Sequence, residues 1–347
     1  MKILAQQASK QFTKAAIQEI TALGNGLIND TFLIKTEKSS FVLQRINTQV
    51  FPDPSLIMEN LDLLSNHLQK KIAIKLTIPL VLKTITQQPY YKDDNKNFWR
   101  ALEFIDNTES KEQLSNQKQA EQIGFALGHF HRLLSDADTT LFHDTLPGFH
   151  ITPHYYQQYQ AIEDNLQKEI QLKKVPQCRQ FIDQFSVKIN SLEKAKQQGL
   201  LIERITHGDP KLNNFLFTKN SNNIISLIDL DTIKPGLVHY DIADCLRSCC
   251  HNPSSNTFDL KLCEIILSSY LKEMADIFTN SDYEYLYSAI ELIPFELGLR
   301  FFTDYLQGNQ YFKVASPEQN LDRAWAQFKL CKNIAEQEEE IRDIIYS

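Results

Sequence analysis

Residues 200–233 break a long run of helical sequence with short apolar segments, LLIERITHGD, NFLF and NIISLIDLD, separated by polar residues. They read as one strand-and-loop insertion in a helix-rich remainder, because the flanking segments carry apolar residues at helical spacing. Upstream, residues 17–46 read as three short strands: IQEITAL leads into GNGLIND, then TFLIKT, the turn EKSS, and FVLQRI. β-Branched and aromatic residues separated by short polar turns are the hairpin pattern. PSLIMENLDLLSNHLQK, residues 54–70, opens with Pro and spaces Leu56, Ile57, Leu61, Leu64 and Leu68 as a helix does. KLTIPLVLKTI and NFWRALEFID read as two further strands. From about residue 107 helices predominate: QAEQIGFALGHFHRLLSD, YYQQYQAIEDNLQKEIQLKKV, and residues 178–198, 258–278, 282–306 and 317–346. The expected fold class is α+β, with a strand-rich region over residues 1–106 and a mostly helical region over 107–347.

A chain of 347 residues can bury a large core and build two lobes. With 42% hydrophobic and 23% charged residues it has the balance of an ordinary globular protein. A net charge of -7 argues against a general affinity for nucleic acid or anionic membranes. No apolar stretch approaches the ~18 residues of a membrane span. The apolar run in MKILAQQASKQFTK is too short for a signal peptide, so a cytoplasmic location is expected. Cys178, Cys245, Cys249, Cys250, Cys263 and Cys331 form no C-x-x-C pair. Their spacing suggests neither a zinc site nor a disulfide framework, and free buried thiols are expected.

The chemistry-bearing stretch is ITHGDPKLNNFLF, residues 205–217. His207 and Asp209 stand two apart, Asn214 lies five beyond Asp209, and Asp229 ends the apolar run IISLI, with Asp231 two further on. Mg²⁺-dependent phosphoryl transfer requires such a set: one carboxylate to orient the acceptor hydroxyl and take its proton, an amide and a second carboxylate to hold the cation. Lys211 can reach the transferring phosphoryl group as a point charge. H-x-D alone means little, whereas H-G-D-x₄-N followed by IDLD is specific; the alternative is a self-bonded polar turn.

A phosphate cradle is expected at LGNGLIND, where Gly24 and Gly26 let backbone amides approach a triphosphate and Asn29 follows; an ordinary Gly-rich hairpin is the competing reading. Kinases place a Lys on the third strand, paired with a helix Glu. FVLQRIN offers Gln44 and Arg45 instead, on opposite faces of a strand. Arg45 with Glu59 as its partner is the expected substitute, and a solvated Arg45 is the alternative.

On these residues the chain resembles the aminoglycoside phosphotransferase and choline kinase superfamily. ITHGDPKLNNFLF looks like its catalytic loop and LIDLD like its metal-binding strand end. GLINDTF, FVLQRINTQVF, WRALEFID, PGFH, IDLDTIKPGLVHYDIADCLRS and ELGLRFFTDYLQGNQYFK are most similar to N-acetylhexosamine 1-kinases, and the matching segments run from residue 26 to 313. The resemblance implies a protein-kinase-like fold with a small antiparallel-sheet N-lobe, a larger helical C-lobe and a hinge near residues 103–107. It implies ATP and Mg²⁺, and a sugar or amino-sugar acceptor phosphorylated at its anomeric hydroxyl by a monomer or weak homodimer. Carried over, Asp209 is the catalytic base, Asn214 and Asp229 are Mg²⁺ ligands, and ALEFID contacts adenine through its backbone at Glu103 and Ile105. His207 braces the loop, and Asp231 either touches metal or substrate or fixes the loop. Arg300 and Asp304, four apart on one helix face, either clamp the acceptor or pair with each other. His143, Asp144 and His150 either line the acceptor side or pack. Asp244 and Arg247 form a structural pair, and Trp99 and Trp325 either stack on a sugar or fill the core. Two alternatives stand beside this reading: another alcohol acceptor (an aminoglycoside or choline), and a catalytically inactive pseudokinase.

Overall fold

The computed structural model describes residues 1–24, 28–165 and 172–347. The expected three-strand unit is present as β1 (Ile17–Ala22), β2 (Asp30–Thr36) and β3 (Ser40–Ile46), antiparallel in chain order. β4 (Val81–Leu82), β5 (Tyr91–Lys92) and β6 (Phe98–Glu103) complete the sheet in the order β1-β2-β3-β6-β4, with β5 also on β6. KLTIPLVLKTI is mostly irregular: only Val81–Leu82 is strand, with one bridge from Thr77 to Ser226. Pro79 has no N–H to offer a ladder, which limits strand formation there.

Alternation gives the sheet two chemically different faces. Phe32, Ile34, Phe41, Leu43, Trp99 and Ala101 pack with Ala5 and Ala8 of α1 (Lys2–Ser9) in a small separate core. Trp99 is therefore a core residue, and its indole N–H donates to Asp93 at 2.9 Å. On the opposite face Gln44 stands directly across from Arg100, while Ile46 and Phe98 enter the main core. α2 (Pro54–Leu68) follows, started by Pro54 and capped by Asp53, which accepts the Ser55 N–H at 3.1 Å.

After β7 (Thr108–Glu109) the chain is helical: α3 (Gln117–Leu133), α4 (Thr152–Glu163), α5 (Lys174–Phe185), α6 (Ser191–Gln197), α7 (Val238–Cys249), α8 (Leu260–Met274), α9 (Asn280–Leu306), α10 (Gln319–Ala335) and α11 (Glu338–Tyr346). The insertion between α6 and α7 is built as β8 (Arg204–Thr206), β9 (Phe215–Thr218), β10 (Ile224–Leu227) and β11 (Lys234–Gly236). β12 (His251–Asn252) and β13 (Thr257–Phe258) make a small hairpin after α7. Two expected single helices are split. Residues 178–198 break between α5 and α6, where Ile189 and Leu192 both turn into the core. Residues 317–346 break before Glu338, Glu339 and Glu340, whose carboxylates favour a new helix N-terminus. Trp325 lies half-buried on α10 against the main core. All six cysteines are buried free thiols. No helix among the described residues is long and apolar enough to cross a membrane.

α3 and α8 meet through Gly124 and Gly128, which let the two backbones touch. A Cβ on Gly124 would lie 2.0 Å from the Ile266 carbonyl oxygen. Gly124→Ala must push the helices apart and is expected to cost at least about 2 kcal/mol, read as a lowered denaturation midpoint with an unchanged urea slope.

Candidate active site

β8 delivers the chain into His207-Gly208-Asp209, and a 3-10 turn over Leu212–Asn214 leads into the β9–β10 hairpin. The hairpin returns Asp229 to the same place: the Ile228 N–H donates to the Asn214 carbonyl at 2.9 Å. Asn214 in turn donates its amide to the Asp209 carbonyl at 2.7 Å, and Lys211 Nζ bonds the Asp209 carboxylate. Asp209, Lys211, Asn214 and Asp229 are thus brought together as expected. Asp229 sits in the left-handed region at φ 63°, a conformation that costs a non-glycine residue roughly 1 kcal/mol or more and persists only when its surroundings hold it. Gly208 has φ +86°, and a Cβ there would meet the Thr232 carbonyl at 2.6 Å; only glycine fits.

His207 is fully buried. Its Nδ1 accepts the Asp209 N–H (3.3 Å), so its Nε2–H donates to the Ile228 carbonyl at 3.1 Å. It ties the Asp209 loop to the strand carrying Asp229, as a brace. Below it lies Asp241, which sequence reasoning passed over. Its carboxylate accepts the His207 N–H at 2.6 Å, the Gly208 N–H at 2.9 Å and His131 Nε2 at 2.9 Å. Burial pushes its pKa up, but His131 and His207 outweigh this and hold it below the usual carboxylate value. The available signal was an Asp inside the apolar helix segment VHYDIAD. Asp244 and Arg247 form the expected pair at 2.7 Å.

On the far side, α9 contributes Glu296, a lone carboxylate in the apolar run LIPFELGL that was also missed. It takes His150 Nδ1 at 3.0 Å and Thr152 Oγ1 at 2.7 Å, while His150 Nε2 reaches the Gly208 carbonyl at 2.9 Å. Burial alone would lower the His150 pKa; Glu296 and the carbonyl raise it above the ordinary value, because both ring nitrogens face acceptors. His150 therefore supports the loop.

Arg300 and Asp304 do not pair. Asp304 is buried and accepts the backbone N–H groups of Gln310, Tyr311 and Phe312 at 2.8, 2.8 and 2.9 Å, plus the Asn320 amide at 2.9 Å. It organises the loop after α9 and has no capacity left for an acceptor. That loop helps cage Arg300, whose guanidinium carbon lies 5.0 Å from the Phe149 ring centre, 4.9 Å from Tyr155, 6.0 Å from Tyr311 and 5.6 Å from Phe312. Arg300 makes no hydrogen bond or ion pair among the described residues, and Asp209 is among the charges that act on it. His143 pairs with Glu59 at 2.9 Å, and its backbone is stitched to Asn60 of α2.

The sheet side corrects another expectation. Glu59 is not the partner of Arg45, which instead bonds Asp30 at 2.6 Å and Asn97 at 3.3 Å, on the sheet face away from Gln44. The register explains it: Asp30 is the direct cross-strand neighbour of Arg45, and strand alternation turns both from the α2 face. Arg100 faces the site, donating to Gln44 Oε1 at 2.9 and 2.7 Å and pairing with Asp231. Asp231 is buried and also accepts the Asn29 amide at 2.8 Å. It latches the sheet to the loop carrying Asp229 and is not available to an acceptor. The missed signal for Arg100 was one cation in the strand FWRALE, apolar on both faces. Gly24 has φ +71° with open space around it; Gly26 lies outside the described residues. Glu103 ends β6, and the Ile105 carbonyl accepts from Thr108 Oγ1 at 2.7 Å.

No cluster of three His, Cys, Asp or Glu able to hold a metal occurs among the described residues. Asn214 Oδ1 and the exposed Asp229 carboxylate have no protein partner there, a donor pair that fits a hard divalent cation completed by phosphate oxygens.

A family model described as a phosphotransferase enzyme family matches residues 19–264. The chain belongs to this family. Solved structures carry the same kinase-like fold. A microcompartment-associated aminopropanol kinase matches with TM-score 0.69 at 16% identity, covering 97% of this chain and 98% of that one. A spectinomycin phosphotransferase in complex with ADP and its antibiotic matches with TM-score 0.62 at 14% identity, covering 98% of each chain. A choline kinase from Cryptosporidium parvum Iowa II matches with TM-score 0.60 at 17% identity, covering 99% and 96%. The chain is accordingly a small-molecule phosphotransferase with an alcohol acceptor.

Asp241→Asn turns a donor toward one of the two backbone N–H groups and leaves that group unpaired. This phosphotransferase is then expected to lose about 2–4 kcal/mol of stability and to show kcat reduced ~10-fold or more through a misplaced Asp209. Urea titration and steady-state kinetics on the same preparation check both.

Proposed function

We propose that the protein is an ATP- and Mg²⁺-dependent kinase acting on a sugar hydroxyl, with the anomeric hydroxyl of an N-acetylhexosamine as acceptor. The observation that carries the acceptor class is Arg300. Its guanidinium sits among four aromatic rings and makes no hydrogen bond or ion pair among the described residues. Such a group donates several hydrogen bonds to hydroxyl and carbonyl oxygens, and the rings offer faces to a sugar. The segments LQRIN and RFFTDYLQGNQYFK support the amino-sugar assignment through their resemblance to N-acetylhexosamine 1-kinases.

Asp209 orients the acceptor hydroxyl and receives its proton as the oxygen attacks the γ-phosphorus and the bond to the leaving ADP oxygen breaks. Lys211 stays an ammonium: burial pulls its pKa down, but Asp209 and Asp229 raise it above the usual lysine value. It acts as fixed positive charge beside the developing phosphoryl charge. Asn214 and Asp229 would hold Mg²⁺, which supplies neutralisation of phosphate charge when bound. Glu103 ends β6 and Ile105 lies two residues beyond it, the segment whose backbone would contact adenine by its resemblance to the kinase hinge.

A cationic acceptor, as in the choline kinase relative, is a second reading. The aromatic rings that would suit an ammonium group already surround the chain's own Arg300, and a second cation there meets repulsion. A pseudokinase reading has the missing β3 lysine in its favour and the assembled Asp209–Asn214–Asp229 group against it.

An ADP-release screen over N-acetylhexosamines, neutral hexoses, choline and aminoglycosides, followed by ³¹P NMR of the product, tests the assignment. Turnover is expected with an N-acetylhexosamine, giving an anomeric phosphate. Asp209→Asn should cut kcat by ~100-fold or more while Mg·AMP-PNP still binds. Turnover confined to choline or aminoglycosides, or full activity in Asp209→Asn, overturns it. Arg300→Met is expected to raise the acceptor KM ~10-fold, the loss of about one charged hydrogen bond, with the ATP KM unchanged.

A further inference from the structure

β3 presents no cation to the face of the sheet that looks onto the metal-side loop. Arg45 points to the other face and is committed to Asp30 and Asn97. Gln44, on the correct face, is neutral, and its Oε1 accepts both Nε and Nη2 of Arg100 across the strand pair. Arg100 is buried to 1% exposure. Its Nη2 also bonds Asp231, whereas Nη1 has no hydrogen-bond partner among the described residues. An unmade donor on a buried guanidinium is costly, so such a group is kept where a working state satisfies it.

Three segments meet at this guanidinium. β6 carries it. Asn29, just before β2, donates to the same Asp231 carboxylate at 2.8 Å. Asp231 stands two residues after Asp229, the candidate cation ligand. These are the walls that would enclose a triphosphate. A planar guanidinium can hold Gln44 through Nε and Nη2 and Asp231 through Nη2, and still leave Nη1, buried and unpaired, for an incoming phosphate oxygen, which a lysine's single ammonium could not do.

We propose that Arg100 is the side chain that grips the nucleotide's phosphates, the cation having moved from β3 to its cross-strand neighbour on β6 with Gln44 as its neutral support. This rests on the phosphotransferase reading and adds a phosphate-binding residue to it.

The test is calorimetric titration of the full chain with adenosine and with Mg·AMP-PNP. Arg100→Lys keeps charge in the pocket but loses the fork, and should bind AMP-PNP ~10-fold or more weakly with adenosine affinity unchanged. Arg100→Met should lose more, and adding Gln44→Lys to it, which returns a cation to β3 on the same face, should restore AMP-PNP binding. Should one variant not fold, the remaining ones carry the same comparison. Affinities for both ligands unchanged from wild type in Arg100→Lys, or a parallel loss of both, overturns the proposal, since a merely structural residue would not separate phosphate from base. A wild-type chain that binds neither ligand overturns the phosphotransferase reading as well, a result distinct from a failure confined to Arg100.

Discussion

The arrangement of the site depends on one buried carboxylate. Asp241 accepts the N–H groups of His207 and Gly208 and the imidazole of His131, and so sets the direction in which the loop presents Asp209. A loop cannot bury its backbone amides unless something answers them. Here the answer is an anion on a helix, α7, whose position is fixed by packing rather than by the loop itself. His207 and Thr232 complete the hold, bonding to the Ile228 carbonyl and the His207 carbonyl at 3.1 and 2.9 Å. The left-handed backbone of Asp229 is sustainable because both of its flanks are tied in this way.

The second constraint is the Arg100–Asp231 pair between the sheet and the helical region, with exposures of 1% and 3%. A buried pair of this kind adds little net stability, yet removing one partner strands the other. Its value is geometric: it couples the position of the sheet to the residue two places from Asp229. Asn60 of α2 adds a neutral link, donating to the His143 and Ile233 carbonyls at 2.8 Å each.

Much of the layout was legible because it follows from short-range rules. The hairpins over 17–46 follow from alternation and turn residues, α2 from its Pro and cap, and the Asp209–Asn214–Asp229 set from spacing around one hairpin. Misread segments were those in which a local pattern met a tertiary demand. Pro79 kept residues 75–85 from forming a full strand, and three glutamates opened a new helix inside 317–346. Arg45 and Asp304 carry suitable charge in the right neighbourhood, and for Asp231 the structure selects the loop-fixing role. Each is consumed by partners distant in sequence or lying on a loop whose path the sequence does not display.

The sequence by itself determined the alternation of the strands, the helical bulk and the close spacing of Asp209, Asn214 and Asp229, all of which depend on neighbours within one hairpin or one helical turn. Only the tertiary structure decided which charges are free. Gln44 and Arg100 are 56 residues apart and Arg100 and Asp231 are 131 apart, so their meeting depends on sheet register and on how the sheet docks onto the helices. Arg300 was left uncommitted, and Asp304 occupied, by the fold of the loop after α9. Whether a charged side chain is a tool or a strut depends on which groups surround it, and those come from parts of the chain that only folding brings together.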